Sequence, residues 1–382
     1  MKAMIFTAMP MFVCLFWSIM LVFELHQDGK NRPRLHLLAF MLTATVLYFG
    51  HCAFFNHETT IIPFTDTLYC AANLAVYPLY FLYICSLTTR YEHSRLKHML
   101  LVPAIAGGTA VGLTYLSMSE EETGQFISTY LYHGGYEGMT PLTMRQVFIH
   151  DVCKVFFAML ILPVFFYGRS YLQKYERLVH EVYADIEDKT LAPIRYMLIA
   201  FAATSIASFT ANLIGRHQFG NSIWMLAIPS LLFSSLLFAI GYVGYHQHFS
   251  MENIEDDEQQ ADIIESNTTT INDLRVQIEQ IMESEQLYRQ PNFKIVDLVQ
   301  RLNTNRNYVY RAINLDMGLS FNEYVNRMRI EYAAMLIAQN PGKPLSEIAE
   351  QSGFSSSTSF YRNFKLYKGM GPKEYQNHHK NV

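Results

Sequence analysis

The sequence predicts an all-α protein, in which a bundle of seven transmembrane helices is followed by a linker and a double helix-turn-helix domain. Three observations carry this expectation. Seven apolar runs of span length fill residues 1–244, an acidic stretch follows, and a helical pattern in the last hundred residues repeats itself after about 50 positions.

A helix needs about 20 mostly apolar residues to cross the hydrocarbon core. Such runs lie at 3–25, 35–55, 67–88, 99–117, 146–167, 194–214 and 222–244. The first resembles a signal peptide only in its position, because it is long, lacks an A-x-A-like cleavage site and is followed by more of the same. The sixth and seventh are separated by GRHQFGN, which implies a tight hairpin. Basic residues mark the cytoplasmic side of a span. The first, third and fifth connections hold eleven of them (Lys30, Arg32, Arg34; Arg90, Arg95, Lys97; Arg169, Lys174, Arg177, Lys189, Arg195), against Lys2, Arg145 and Arg216 on the other side. The expected topology has the N-terminus outside and everything after the seventh span in the cytoplasm of a bacterial inner membrane. The connection from Met118 to Arg145, with SEEETGQ and HGGYEG, fits either a lid over a ligand site or a solvated loop.

Ionisable groups within spans are costly and so are candidates for function. His150, Asp151 and Lys154 stand early in the fifth span, with Asp151 and Lys154 one turn apart where they can neutralise each other. They fit a paired structural cluster or a polar floor for an external ligand. His51, Asn73 and Glu24 are less specific. The five cysteines (Cys14, Cys52, Cys70, Cys85, Cys153) sit in apolar runs without metal or disulfide spacing, and neither a metal nor a cofactor is expected. No HExxH, GxSxG or Walker loop occurs, so an enzyme is not expected.

Residues 245–285 hold eleven acidic residues and one basic, and residues 286–382 hold thirteen basic and seven acidic. The stretch 245–270 has too little apolar surface to order itself and is read as a tether. From Ile271 the spacing of Ile271, Leu274, Ile278 and Ile281 predicts a helix with Thr270 as N-cap. Its two heptads fit a short coiled coil pairing two chains, or an amphipathic helix packed on the following domain, and the second is preferred.

The repeat aligns Ile295, Leu298, Val299 and Leu302 with Leu345, Ile348, Ala349 and Ser352, then Val309, Tyr310, Arg311 and Ile313 with Phe360, Tyr361, Arg362 and Phe364. GLSFNEY matches GMGPKEY at the ends. Each unit reads as helix, turn, helix, the turns being Leu302-Asn303-Thr304 and Ser352-Gly353-Phe354, and NRMRIEYAAMLIAQN bridges the two units as a helix. Val309, Ile313, Phe360 and Phe364 are the inward positions. The outer faces carry Asn305, Arg306, Asn307, Tyr310 and Arg311 in one copy and Ser357, Thr358, Tyr361, Arg362 and Lys365 in the other, an inventory suited to base edges and phosphates. Lys368 and Lys373 add positive charge.

NEYVNRMRIEYAAMLI (322–337), PLSEIAEQSGF (344–354) and FYRNFKLYKGMGPKEY (360–375) give residues 271–377 a resemblance to the AraC family of bacterial transcription regulators. The resemblance implies two helix-turn-helix units joined by a long helix, binding double-stranded promoter DNA. Ser355, Ser356 and Ser357 stand where that family often has longer polar side chains, and Val299 where it usually has Ala. Residues 1–244 do not look like the sugar-binding cupin common in the family; they resemble the seven-span sensor halves sometimes fused to such domains. The expected organisation is a membrane domain at 1–244, an acidic linker at 245–270 and a double helix-turn-helix domain at 271–382. Membrane lipid, a small-molecule or envelope signal, and a second copy in a homodimer are the further partners this reading brings. A transporter or enzyme carrying a regulatory DNA-binding domain is the alternative.

Overall fold

The computed structural model describes residues 2–28, 31–89, 95–214, 223–254 and 271–380. The predicted hairpin at 215–221, the acidic stretch 255–270 and the Thr270 cap lie outside the described residues. Among those described the structure is helical, with no named strand, and it divides into two units. One comprises Met1–Gln173 with Leu191–His248, and the other Lys174–Thr190 with Phe249–Val382.

Seven helices of the first group are long and apolar enough to cross a membrane. They are α1 (Lys2–Asp28), α2 (Arg32–Phe55), α3 (Ile62–Thr88), α4 (Val102–Ser117, whose span begins at His98 in the 3-10 turn before it), α6 (Pro141–Val182), α7 (Ala192–Ile214) and α8 (Ile223–Tyr245). Helix α3 is the central one, its Leu74, Tyr80, Leu82, Tyr83 and Ile84 being buried. The outward faces carry bare apolar side chains, among them Phe12, Ile105, Phe148, Met159, Phe166 and Trp224. Water-soluble surfaces rarely leave so much large apolar area uncovered.

Close contacts replace a hydrophobic driving force where helices meet in lipid. Trp17 of α1 lies flat against Gly241 of α8, where any Cβ would overlap the indole, and it packs edge-on against Phe238 at 5.3 Å. At one end of the bundle the buried Arg34 of α2 pairs with Glu24 of α1 at 3.2 Å and bonds His248 Nδ1 at 3.0 Å. Tyr245 of α8 donates to the same Glu24 at 2.8 Å, so one charged pair ties three helices together.

Two elements depart from the span count. The fifth apolar run continues without a break into a 42-residue helix, α6, about 63 Å long at 1.5 Å per residue and so roughly twice the hydrocarbon thickness. Beyond Tyr167 no Pro interrupts it, and Leu172, Tyr175, Val179 and Val182 keep a buried stripe at helical spacing. The connection 118–140 is folded rather than loose. Ser119 caps α5 (Glu120–Gln125) in a reciprocal pair with Glu122, and a π-helical turn follows at Phe126–Leu131. Phe126, Ile127 and Tyr130 are buried with Ile62, Cys70, Val111 and Val147.

The second unit holds α9 (Ile271–Ser284), α10 (Ile295–Leu302), α11 (Arg306–Arg311), α12 (Phe321–Gln339), α13 (Leu345–Gln351), α14 (Ser357–Lys368) and α15 (Pro372–Lys380). Leu274, Ile278 and Met282 of α9 are buried, and the helix lies against α10 and α11, the packing preferred over a coiled coil. Helix α12 begins at a Ser320–Glu323 capping box and ends at Asn340, before the Pro that follows. Its stripe Ile330, Ala333, Ala334 and Ile337 forms a core with Ile348, Ala349, Phe354, Phe360 and Phe364.

Candidate DNA-binding face

Each half of the repeat is a helix-turn-helix built by local chemistry. In the first, α10 stops where Asn303 takes a left-handed conformation, φ 47°, and the Asn305 side chain caps α11 by accepting from the Asn307 amide at 2.8 Å. In the second, Gly353 has φ 86°, and a Cβ there would also fall 2.7 Å from the Tyr288 carbonyl, so glycine answers two constraints. Ser356 then caps α14 through the Ser359 amide at 3.1 Å. The four inward positions, Val309, Ile313, Phe360 and Phe364, are all buried.

Burying those four positions turns the opposite faces of α11 and α14 outward, while Ser359 and Asn363 of α14 stay buried beside Phe360 and Phe364. Asn307, Arg311, Ser357, Thr358, Tyr361, Arg362 and Lys365 are exposed, and Arg306 and Tyr310 are half-buried. The Asn305 oxygen is committed to its cap. Lys373 is exposed, while Lys368 pairs with Glu331 at 2.6 Å.

The segment 174–190, which the span count leaves as a plain connection, contributes to this unit. Tyr183 forms an antiparallel bridge with Lys294, and the Ala184 amide donates to the Phe293 carbonyl. The Ala184 carbonyl accepts from the side-chain amides of Asn322 and Asn326. Next to it Asp185 receives Arg329 through both oxygens, at 2.9 and 3.2 Å, and also accepts from the Asn292 amide at 3.0 Å.

Arg329 is fully buried, and its five N–H groups meet five acceptors: both Asp185 oxygens, the Tyr288 and Gln290 carbonyls and the Asn326 side-chain oxygen. Burial lowers its pKa from the ordinary arginine value, and the Asp185 carboxylate pulls it back up.

The same segment sets carboxylates on the candidate face. Glu181 accepts from the Tyr310 hydroxyl at 3.4 Å, and Glu187 accepts from the Ser356 hydroxyl and lies 3.8 Å from Arg362. Ser355 donates to Asp185 at 3.3 Å. Burial, then the Glu181 charge, raises the Tyr310 phenol above its usual pKa. One acidic segment thus touches side chains of both helix-turn-helix units.

The membrane-type half separates the three ionisable residues singled out in its fifth apolar run. His150 turns inward, its Nε2 2.7 Å from Asp66 and its Nδ1 2.8 Å from the Gln146 carbonyl. Asp66 also accepts from the Tyr115 hydroxyl at 2.9 Å. With acceptors at both ring nitrogens, the His150–Asp66 pair holds a proton between them whichever group carries it. Asp66, which stands one residue before the predicted third span, was missed. The ligand atoms of Asp66, Cys70 and His150 lie within 4.8 Å of one another, close enough to hold a metal ion, although the Asp66 hydrogen bonds already close the network. Asp151 and Lys154 instead pair with each other at 2.9 Å on the exposed side, and both meet the Tyr130 hydroxyl.

Two helix-turn-helix units joined by α12 make this a double helix-turn-helix domain. Residues 298–378 match the family described as a helix-turn-helix domain. Among curated relatives, the Msm operon regulatory protein of Streptococcus mutans is 31% identical over 85 residues, 22% of this chain and 30% of that one. The probable transcriptional regulator LumQ of Photobacterium leiognathi is 42% identical over 67 residues, 18% of this chain and 27% of that one. An uncharacterized HTH-type transcriptional regulator of Staphylococcus aureus is 24% identical over 198 residues, 52% of this chain and 23% of that one. In each case the chain spans less than a third of the relative's length. No solved structure matches.

Proposed function

We propose that the protein is a membrane-anchored transcription regulator of a bacterial cytoplasmic membrane, not an enzyme. Residues 1–244 form its seven-span sensory half, apart from the segment 174–190 that folds with the second unit, 245–270 its acidic linker and 271–382 its cytoplasmic double helix-turn-helix domain. The carrying observation is the pair of similarly built units, each burying an apolar stripe and turning Arg311 or Arg362 outward from its second helix. The relatives named as regulators support the DNA-binding reading, and the seven long apolar helices support the anchor. The eleven-to-three distribution of basic residues favours an outside N-terminus.

In this reading Asn307, Arg311, Arg362 and their neighbours meet bases and phosphates, the outward lysines meet phosphates, and two copies occupy adjacent half-sites. The segment 181–187 sits on the same face, so carboxylates occupy Tyr310, Ser356 and Arg362 until DNA displaces them. Because Glu181 belongs to α6, a shift of the fifth span changes the availability of the reading face, and a signal that favours one position of that helix shifts the population.

The test uses full-length protein in membrane vesicles, crosslinked to genomic fragments. Promoter DNA should sediment with the membranes and be lost in the Arg311→Ala/Arg362→Ala double variant. Recovery of DNA only on a released soluble fragment, or unchanged retention by the double variant, would overturn the proposal.

A further inference from the structure

Six of the seven long helices, all except α4, surround a cavity of about 600 Å³. That volume lies within the ~300–1,000 Å³ typical of small-molecule sites. Most of its wall is aliphatic or aromatic, and among the described lining residues none is Asp, Glu, Lys or Arg. A cation would find no counter-ion there, an anion would find only the His51 imidazole, and burying an unpaired charge in such surroundings is prohibitive.

The wall is nevertheless not inert. Tyr48 of α2 and Asn73 and Tyr77 of α3 line the cavity, and the side chains of these three make no hydrogen bond with another described residue. Asn73 and Tyr77 are one turn apart on the central helix, and so share a face. The other lining hydroxyls differ: Thr7, Thr204, Ser205 and Thr210 donate to carbonyls of their own helix, Ser230 donates to Phe6 of α1, and Tyr69 and Ser208 interact with neighbours. An amide and two phenols at membrane depth call for partners, and a polar group left without one costs about 1–3 kcal/mol.

We infer that this cavity is a binding site for a neutral, largely apolar small molecule bearing a hydroxyl or carbonyl oxygen, held by Asn73, Tyr48 and Tyr77. The Asn73 amide offers both a donor and an acceptor, and the two phenols add one of each, so a ligand oxygen is met whichever way it is protonated. Phe157 and Phe201 pack on Tyr77 and Phe233 on Tyr48, fixing both rings. The class of ligand follows from the cavity alone. Its identification as the regulatory signal rests on the sensory reading proposed above.

The full-length protein in vesicles of phosphatidylethanolamine and phosphatidylglycerol tests this, without DNA, using three diazirine probes: a long-chain primary alcohol, the matching carboxylate and a phospholipid with the diazirine on its acyl chain. The alcohol should label the cavity-lining peptides of α2, α3 and α8 saturably, and unlabelled alcohol should compete. Labelling should fall about five- to tenfold in Asn73→Leu, the fold-change expected for one lost hydrogen bond. Tyr77→Phe, which keeps the ring and so the packing, should also reduce it. Non-saturable labelling, equal labelling by the carboxylate, equal cavity labelling by the phospholipid, or labelling unchanged in both variants would each overturn the site. Because no DNA is present, these failures are separable from a failure of promoter retention.

Discussion

Arg311 and Arg362 stand at matching places in the two halves of the repeat, but their surroundings differ. Arg311 is exposed at the end of α11, whereas Arg362 lies 3.8 Å from Glu187. A guanidinium reading a base and a lysine meeting a phosphate leave different signatures. Lys365 is exposed on α14, two turns from its N-terminus, and is assigned to phosphate. Lys365→Ala should weaken retention of all fragments alike and lower the slope of log K against log salt by about one. Arg311→Ala should instead cost about 1–3 kcal/mol on the preferred sequence and much less on a scrambled one. A salt titration on both DNAs with each variant separates the two. At Gly353 the residue scale governs stability: with φ 86° and the Tyr288 carbonyl so close, Gly353→Ala should lower the unfolding free energy of the second unit by about 1–3 kcal/mol, read by chemical denaturation.

Among the elements, periodicity made the repeat legible because each helix-turn-helix is closed by neighbours in sequence. The turns at Asn303 and Gly353 and the buried Val309, Ile313, Phe360 and Phe364 all follow from spacing within about 20 residues. The seven long apolar helices were legible for the same reason, since apolar length is a local property. Arg329 marks where local reading ends. It repeats the phase of Val325, Ala333 and Ile337, so an arginine on a core stripe could have signalled a buried acid, but its partner Asp185 is 144 residues away. Asp66 and His150, 84 residues apart, meet in the same unreadable way. Breaking one side of a buried pair costs about 3–5 kcal/mol, because the other charge stays buried. Asp185→Ala should therefore destabilise the second unit by about that much and speed hydrogen exchange in α12. Glu187→Ala, on the rim, should change either little.

For the molecule as a whole, the consequence lies in α6, which carries Asp151 and Lys154 near one end and Glu181 in its final turn. If the carboxylates of Glu181 and Glu187 compete with DNA for Tyr310, Ser356 and Arg362, neutralising them must strengthen DNA binding without altering the fold. Half-exposed pairs of this kind are worth about 0–1 kcal/mol each. Glu181→Gln/Glu187→Gln should accordingly raise affinity for promoter DNA about three- to tenfold in full-length protein, and more at low salt than at high. Removing any two acidic residues also lessens the repulsion of DNA, so the comparison needs a matched charge change. Glu279→Gln with Glu285→Gln provides it: those residues pair with Arg275 and Arg301, which are not among the assigned contacts. A gain confined to the first pair fits an acidic segment that regulates the reading face. Equal gains from both pairs would reduce Glu181 and Glu187 to general electrostatics, leaving Asp185 and Arg329 as a purely structural link.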